Sequence, residues 1–262
     1  MEIGLSTASF FGKALTEDSF QHIRNAGVEV CEVFLTTFYE YEPEFGKLLK
    51  SRLGDLRVHS VHTLTNQFEP QLFNRADRTR EDAFHILDKV GQVMMELSAK
   101  YYTFHGPSII KKSQLNVNYE YEASRIKAVC DRIQTYGAEL TYENVHWAKY
   151  RNPEFMRELH RLIPSLKTCL DIKQAMQSGY DYKEYLEVDA DTLRTVHVCD
   201  YNGDKLCPPG KGKFDFCEFF KRLKGAGYDG PIMIELYSGD YDSFEDVNES
   251  VYYLKNILEK VR

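Results

Sequence analysis

Short apolar runs alternate with longer stretches whose apolar positions recur at helical spacing, from one end of the chain to the other. The runs Glu2 to Thr7, Val28 to Leu35, Leu56 to Thr63 and Tyr101 to His105 are rich in β-branched and aromatic residues and read as strands. So do Glu139 to Val145, Thr168 to Asp171, Leu193 to Cys199 and Pro231 to Leu236. Between them, Thr16 to Ala26, Pro43 to Leu53, Arg78 to Ala99, Asn118 to Tyr136 and Pro153 to Leu162 read as helices. The stretch around Tyr182 to Leu186, then Asp215 to Ala226 and Phe244 to Val261, complete the set. Arg78 to Ala99 carries Phe84, Leu87, Val90, Val93, Met94 and Leu97 on one face. Thr16 is placed to cap its helix, Gly27 to stop it, and Pro153 suits a first helical turn.

Eight strand-then-helix units fill the 262 residues, and no linker or low-complexity tract divides them. Strands that alternate with helices pair in parallel through right-handed crossovers. Eight such units in about 250 residues predict one α/β domain over residues 1–262, a closed (β/α)8 TIM barrel. An open doubly wound sheet is the rival, and no GxGxxG follows the first strand to support it.

Composition narrows the classes. The chain is 43% hydrophobic and 28% charged, which suits a soluble globular domain. A formal net charge of −7 argues against a nucleic-acid partner. The opening MEIGLSTASFF has no basic leader, and no apolar run is long enough to cross a bilayer, so no membrane association is expected. The six cysteines are scattered without a CxxC pair, the pattern of free thiols in a reducing, cytoplasmic setting rather than of a zinc–thiolate site. An aromatic content of 13% leaves room for an exposed apolar face, and so for a homo-oligomer.

Active sites of such barrels lie at the carboxyl ends of the strands. The polar residues there are His62 on the third strand, His105 on the fourth, Glu143 on the fifth, Asp171 on the sixth, His197 on the seventh and Glu235 on the eighth. Taken singly, each has a plain structural reading as a core histidine, a cap or an ion-pair partner. Glu143, Asp171, His197 and Glu235 fall on four consecutive strands at the same end, where unpaired carboxylates crowd unfavourably unless a cation joins them. The mixed oxygen and nitrogen set suits one divalent metal ion, manganese, zinc or cobalt before magnesium. Two further stretches belong near the mouth. CPPGKGKFDF offers a tight glycine loop with Lys211 for an anion, and ENVHW puts Trp147 where an aromatic ring can stack on a sugar.

The ordered set HSVHT, FHGPS, YENVHW, LDIKQA, VHVCD, PGKGKFDF and MIELY resembles the xylose-isomerase-like barrel superfamily, over essentially the whole chain. That superfamily includes sugar and sugar-phosphate isomerases and epimerases, inosose dehydratases and the endonuclease IV type of DNA repair enzyme. The resemblance to the epimerase branch implies a metal held by Glu143, Asp171, His197 and Glu235. There, Glu143 and Glu235 also move a proton between the two faces of a substrate carbon, through an enediolate. It implies a small carbohydrate substrate (a sugar, sugar phosphate or polyol-derived ketone), with His62, His105, Gln174, Asp200, Lys211 and Trp147 as substrate-binding candidates. The alternatives are a dehydratase acting from the same site, an apurinic-site endonuclease, and a sugar-binding barrel without catalysis. The repair branch has histidines at the positions of Gln174 and Leu206, beside the aspartate matched by Asp204, so its outermost zinc ligands are missing here. Gln174 also departs from the epimerase branch, which often has a substrate-contacting histidine there. Lys173 has two readings, pointing away to pair with an acid, which is favoured, or reaching the site.

Overall fold

The computed structural model describes residues 1–64, 67–109 and 116–261. Barrel strands β1 (Glu2–Ser6), β2 (Val30–Leu35), β3 (Arg57–Thr63), β4 (Tyr101–Phe104), β5 (Glu139–Glu143), β6 (Lys167–Asp171), β7 (Leu193–Val198) and β10 (Pro231–Ile234) form one ring. All neighbours are parallel, and β1 closes the ring by pairing with both β2 and β10. Two-residue strands β8 (Asp200–Tyr201) and β9 (Leu206–Cys207) make a separate antiparallel hairpin above β7. The predicted (β/α)8 architecture is therefore the one observed.

Helices α1 (Thr16–Asn25), α2 (Pro43–Leu53), α3 (Asp77–Leu97), α4 (Tyr119–Gln134) and α5 (Pro153–Leu162) follow the first five strands. Helices α6 (Ile172–Ser178), α7 (Tyr182–Asp189), α8 (Phe216–Gly225) and α9 (Phe244–Val261) follow the rest. Local chemistry sets several starts. Pro43 and Pro153 occupy first turns, where a missing N–H costs nothing. Asn118, Asn152, Asp181 and Asp215 accept backbone N–H groups that the first turn leaves unpaired. Thr16 does not cap α1: it is the first helical residue, and its hydroxyl donates to Glu40 (3.2 Å). On α3 the stripe Leu87, Val90, Val93, Met94 and Leu97 is buried, while Phe84 is only partly so. Among the described residues, no helix is long and apolar enough to cross a membrane.

One buried pair couples the fold to pH. Asp189, at the end of α7, has no exposed surface and accepts the hydroxyl of Tyr150. Burial raises its carboxyl to about 7, although the Tyr150 hydrogen bond works the other way. Because the folded state binds this proton more tightly than the unfolded chain, the pair favours folding most at low pH. That advantage is lost as pH rises from about 4 to about 7. Asp189→Asn, which keeps the acceptor and cannot ionise, should therefore gain roughly 2 kcal/mol on the wild type between pH 5 and pH 8. Urea denaturation at the two values measures this, and equal differences at both would refute it.

Candidate metal centre

The carboxyl ends of the strands open onto a cavity of about 630 Å3. Part of its lining is aromatic, with Phe11, Phe34, Trp147 and Tyr237. The rest includes His62, His105, Glu143, Lys173, Gln174 and Glu235. Strand register gathers the ionisable groups: Glu143 pairs with Cys169 across β5 and β6, and Asp171 with His197 across β6 and β7. Glu235 follows β10 directly, its N–H on the Val198 carbonyl (3.0 Å). Ligand atoms of Glu143, Asp171, His197 and Glu235 all lie within 4.8 Å of one another, and all four residues are buried.

A carboxylate that sequence reasoning missed organises this set. Glu32, on β2, has no exposed surface. It accepts hydrogen bonds from Ser6 on β1 (3.2 Å), Ser60 on β3 (2.7 Å) and Thr103 on β4 (2.9 Å). Its last partner is His197 Nε2 on β7 (3.1 Å). Burial would raise the Glu32 carboxyl, but His197 and His62, with the Ser60 hydrogen bond, hold it down at about 2. An ionised Glu32 requires Nε2 of His197 to carry the proton it donates. That turns Nδ1 toward Glu143 Oε1 (3.3 Å) and Glu235 Oε2 (3.7 Å), as a metal ligand needs. The legible signal was a single carboxylate amid the apolar run VCEVFL, which a strand can bury only with partners.

The other groups polarise one another. Burial pushes Glu143 up, yet His105 and His197 outweigh it and hold the carboxyl well below its ordinary range. Glu143 Oε2 lies 2.7 Å from His105 Nε2, which in turn lies 2.8 Å from His62 Nε2. Burial lowers His62 to about 4, so it is neutral near pH 7. Burial also opposes charge on His105, but Glu143 and Glu69 prevail and raise it. The backbone N–H of His105 is itself held by Glu69 (3.1 Å). Burial raises Asp171 to about 7 against the pull of Lys173. Glu235 is lowered, because Lys173 and His197 outweigh burial.

Asp171 divides its two oxygens between tasks. Oδ1 caps α6 by accepting the Gln174 N–H (3.0 Å), while Oδ2 is buried without a hydrogen-bond partner. A buried oxygen with no hydrogen bond, only the Lys173 ammonium at 3.5 Å, among three other convergent donors is what a divalent cation would complete. The donor set (three carboxylates and an imidazole Nδ1) thus fits the expected ion. His62, His105 and Glu143 form a second convergent group, sharing Glu143 with the first. Among the described residues, no such group includes Asp204, which is exposed in the turn of the β8–β9 hairpin.

Of the substrate-binding candidates, His62, His105, Gln174 and Trp147 line the cavity. Asp200 and Lys211 do not. Both Asp200 oxygens are taken by backbone N–H groups: Tyr201 (2.7 Å) and Phe214 (3.0 Å) on one, Gly210 and Gly212 (both 3.0 Å) on the other. A Cβ on Gly212 would lie 2.2 Å from Asp200, so this glycine is there for close approach. Lys211 pairs with Glu249 on α9, outside the cavity. Lys173 does not point away. It is buried and joins the centre itself, 3.1 Å from Glu235 Oε2 and 3.5 Å from Asp171 Oδ2. Gln174 Oε1 accepts both the backbone N–H (3.2 Å) and the ring Nδ1–H (2.6 Å) of His146.

Residues 20–257 match the family described as xylose isomerase-like TIM barrel. A ketose 3-epimerase of Arthrobacter globiformis is 25% identical over 236 residues, covering 84% of this chain and 77% of the relative. The crystal structure of a D-tagatose 3-epimerase-like protein superposes with a TM-score of 0.81 at 20% identity, over 100% of this chain and 98% of the other. That of an IOLI protein with a bound zinc atom gives 0.80 at 14% identity, over 100% of this chain and 99% of the other.

The Glu32–His197 bond makes a direct test. Glu32→Gln removes the negative charge and leaves His197 Nε2–H at best a neutral amide oxygen, so the tautomer with Nδ1 free is held less firmly. Isothermal titration with Mn2+ should show affinity reduced by about 10–100-fold. Unchanged affinity would mean that Glu32 serves strand packing alone.

Proposed function

This chain belongs to the xylose isomerase-like TIM barrel family, and from that premise we propose that it is a metal-dependent isomerase or epimerase of a small ketose or related polyol-derived ketone. The observation that carries the reading is the convergence of Glu143, Asp171, His197 and Glu235 within 4.8 Å, with Glu143 and Glu235 lining a strand-end cavity. The ketose 3-epimerase relative and the D-tagatose 3-epimerase-like neighbour support the same substrate class.

Glu143 and Glu235 are the acid/base pair. They come from β5 and the end of β10, separated around the ring by β6 and β7, so they approach the shared space from different directions. Burial opposes charge on both, but His105 and His197 outweigh it at Glu143 and Lys173 and His197 outweigh it at Glu235, so the glutamate that starts the reaction is the ionised base at neutral pH. One glutamate takes the proton from the carbon beside the ketone, leaving an enediolate. The other, which has to take up a proton from solvent before the ketose binds, gives that proton to the opposite face and inverts the centre, whereas proton return to the neighbouring carbon, with a proton passing between the two oxygens, isomerises the sugar. A divalent ion bound by Glu143, Asp171, His197 and Glu235 supplies Lewis-acid stabilisation of the oxygen on which negative charge develops. Trp147 and the cavity's other aromatic rings cover the apolar face of the sugar. His62, His105 and the amide nitrogen of Gln174 offer hydrogen bonds to its hydroxyl groups. His146 fixes which end of the Gln174 carboxamide is free.

The test is deuterium uptake from heavy water into a panel of ketoses by the Mn2+-loaded protein. Uptake at the carbon next to the ketone is expected, reduced by about 10²–10⁴-fold in Glu143→Gln and in Glu235→Gln. No uptake with any ketose would sink the proposal, and an unsaturated or deoxy product would redirect it to elimination of water. Asp171→Asn keeps an oxygen to cap α6 and loses the ligand charge. Its thermal melting should match that of the metal-free wild type, while its metal content, read by elemental analysis, falls well below one equivalent. Loss of the fold with metal retained would make Asp171 a cap alone.

A further inference from the structure

We propose that Lys173 is the resident counter-ion of the carboxylate set, and that a divalent ion enters the centre by driving the Lys173 ammonium off Asp171 and Glu235. The inference rests on the reading of Glu143, Asp171, His197 and Glu235 as the ligand set. Lys173 is the second residue of α6, and the cap at Asp171 starts that helix so that the lysine turns inward. It is 2% exposed and lines the cavity. Its Nζ lies 3.1 Å from Glu235 Oε2, 3.5 Å from Asp171 Oδ2 and 4.3 Å from the centre of the Tyr237 ring.

The two cations need the same lone pairs. Metal–carboxylate bonds are about 2.0–2.2 Å long, so an ion bound to these oxygens lies closer to them than Nζ does. At that separation an ammonium and a divalent ion repel strongly in a buried site. The lysine has somewhere to go: its four-carbon stem is flexible, and the half-exposed Tyr237 ring already lies under its ammonium and can hold it by a cation–π contact. Charge balance favours a short retreat over expulsion. With the imidazoles neutral, three carboxylates match one divalent ion plus one ammonium, and without the ion Lys173 is the ammonium paired with Asp171 and Glu235 while the His105 and His197 imidazoles face Glu143. Lys173 therefore keeps the metal-free centre intact and weakens the hold on the ion.

The experiment strips the purified protein with a chelator and titrates Mn2+ by calorimetry into wild type, Lys173→Met, Lys173→Arg and Asp171→Asn. Lys173→Met, of similar volume and without charge, should bind Mn2+ about tenfold more tightly than wild type. Its metal-free form should melt at a lower temperature, because removing one partner leaves buried carboxylates uncompensated. Lys173→Arg, which keeps the charge, should stay close to wild type in affinity and shows the effect is electrostatic if the Met variant folds poorly. Equal or weaker binding by Lys173→Met, or a marked gain by Lys173→Arg, overturns the counter-ion role while leaving the ligand set standing. Mn2+ binding that Asp171→Asn does not weaken overturns the ligand set, and this inference with it.

Discussion

A carboxylate buried inside a barrel costs several kcal/mol unless its surroundings answer it. Glu32 is answered by hydroxyl groups from β1, β3 and β4 and by an imidazole from β7. Those partners come from separate strands, so the bond network exists only when the ring is closed in register. The same network sets which nitrogen of His197 donates to Glu32 and which faces Glu143 and Glu235. Barrel closure and site chemistry are thus one problem solved by one side chain. The convergent groups above it inherit their orientation from this layer.

Above Glu32, charges of both signs are interleaved rather than separated. His105 touches Glu143, Lys173 bridges Asp171 and Glu235, and His197 spans from Glu32 to Glu143. Each contact lowers the cost of its neighbours' burial. The carboxylate environments nonetheless differ: Glu143 and Glu235 are pulled toward ionisation, while burial lifts Asp171 toward neutrality. Such divergence within a few ångströms gives the three carboxylates different affinities for a proton.

The barrel and its strand-end residues were legible because period and spacing are local properties, and because closed-barrel geometry turns strand ends into neighbours. Glu143, Asp171, His197 and Glu235 needed nothing more than their place in line. Glu32 was harder, since its meaning lies in partners up to 165 residues away. Lys173 pairs with acids as expected, but it takes the less favoured direction, into the site, because its direction depends on the cap that starts α6, which spacing alone does not give. Asp200 and Lys211 looked like mouth residues in a glycine-rich loop. The loop instead winds around the Asp200 carboxylate, a use of backbone N–H groups that no side-chain pattern announces. Strands ending a residue or two before the apolar runs do leave His105 and Glu235 just beyond the ladder, where their side chains escape the pairing of the sheet.

The divided carboxylate of Asp171 has a consequence for reading relatives of this barrel. One oxygen starts a helix and the other lies in the proposed ligand set, and an asparagine can take over only the first of these places. On the proposed reading, a homologue with asparagine at this position would therefore retain its shape while losing the ion. That single substitution marks a pseudoenzyme more sharply than wholesale loss of the site, since selection on the fold alone would preserve it.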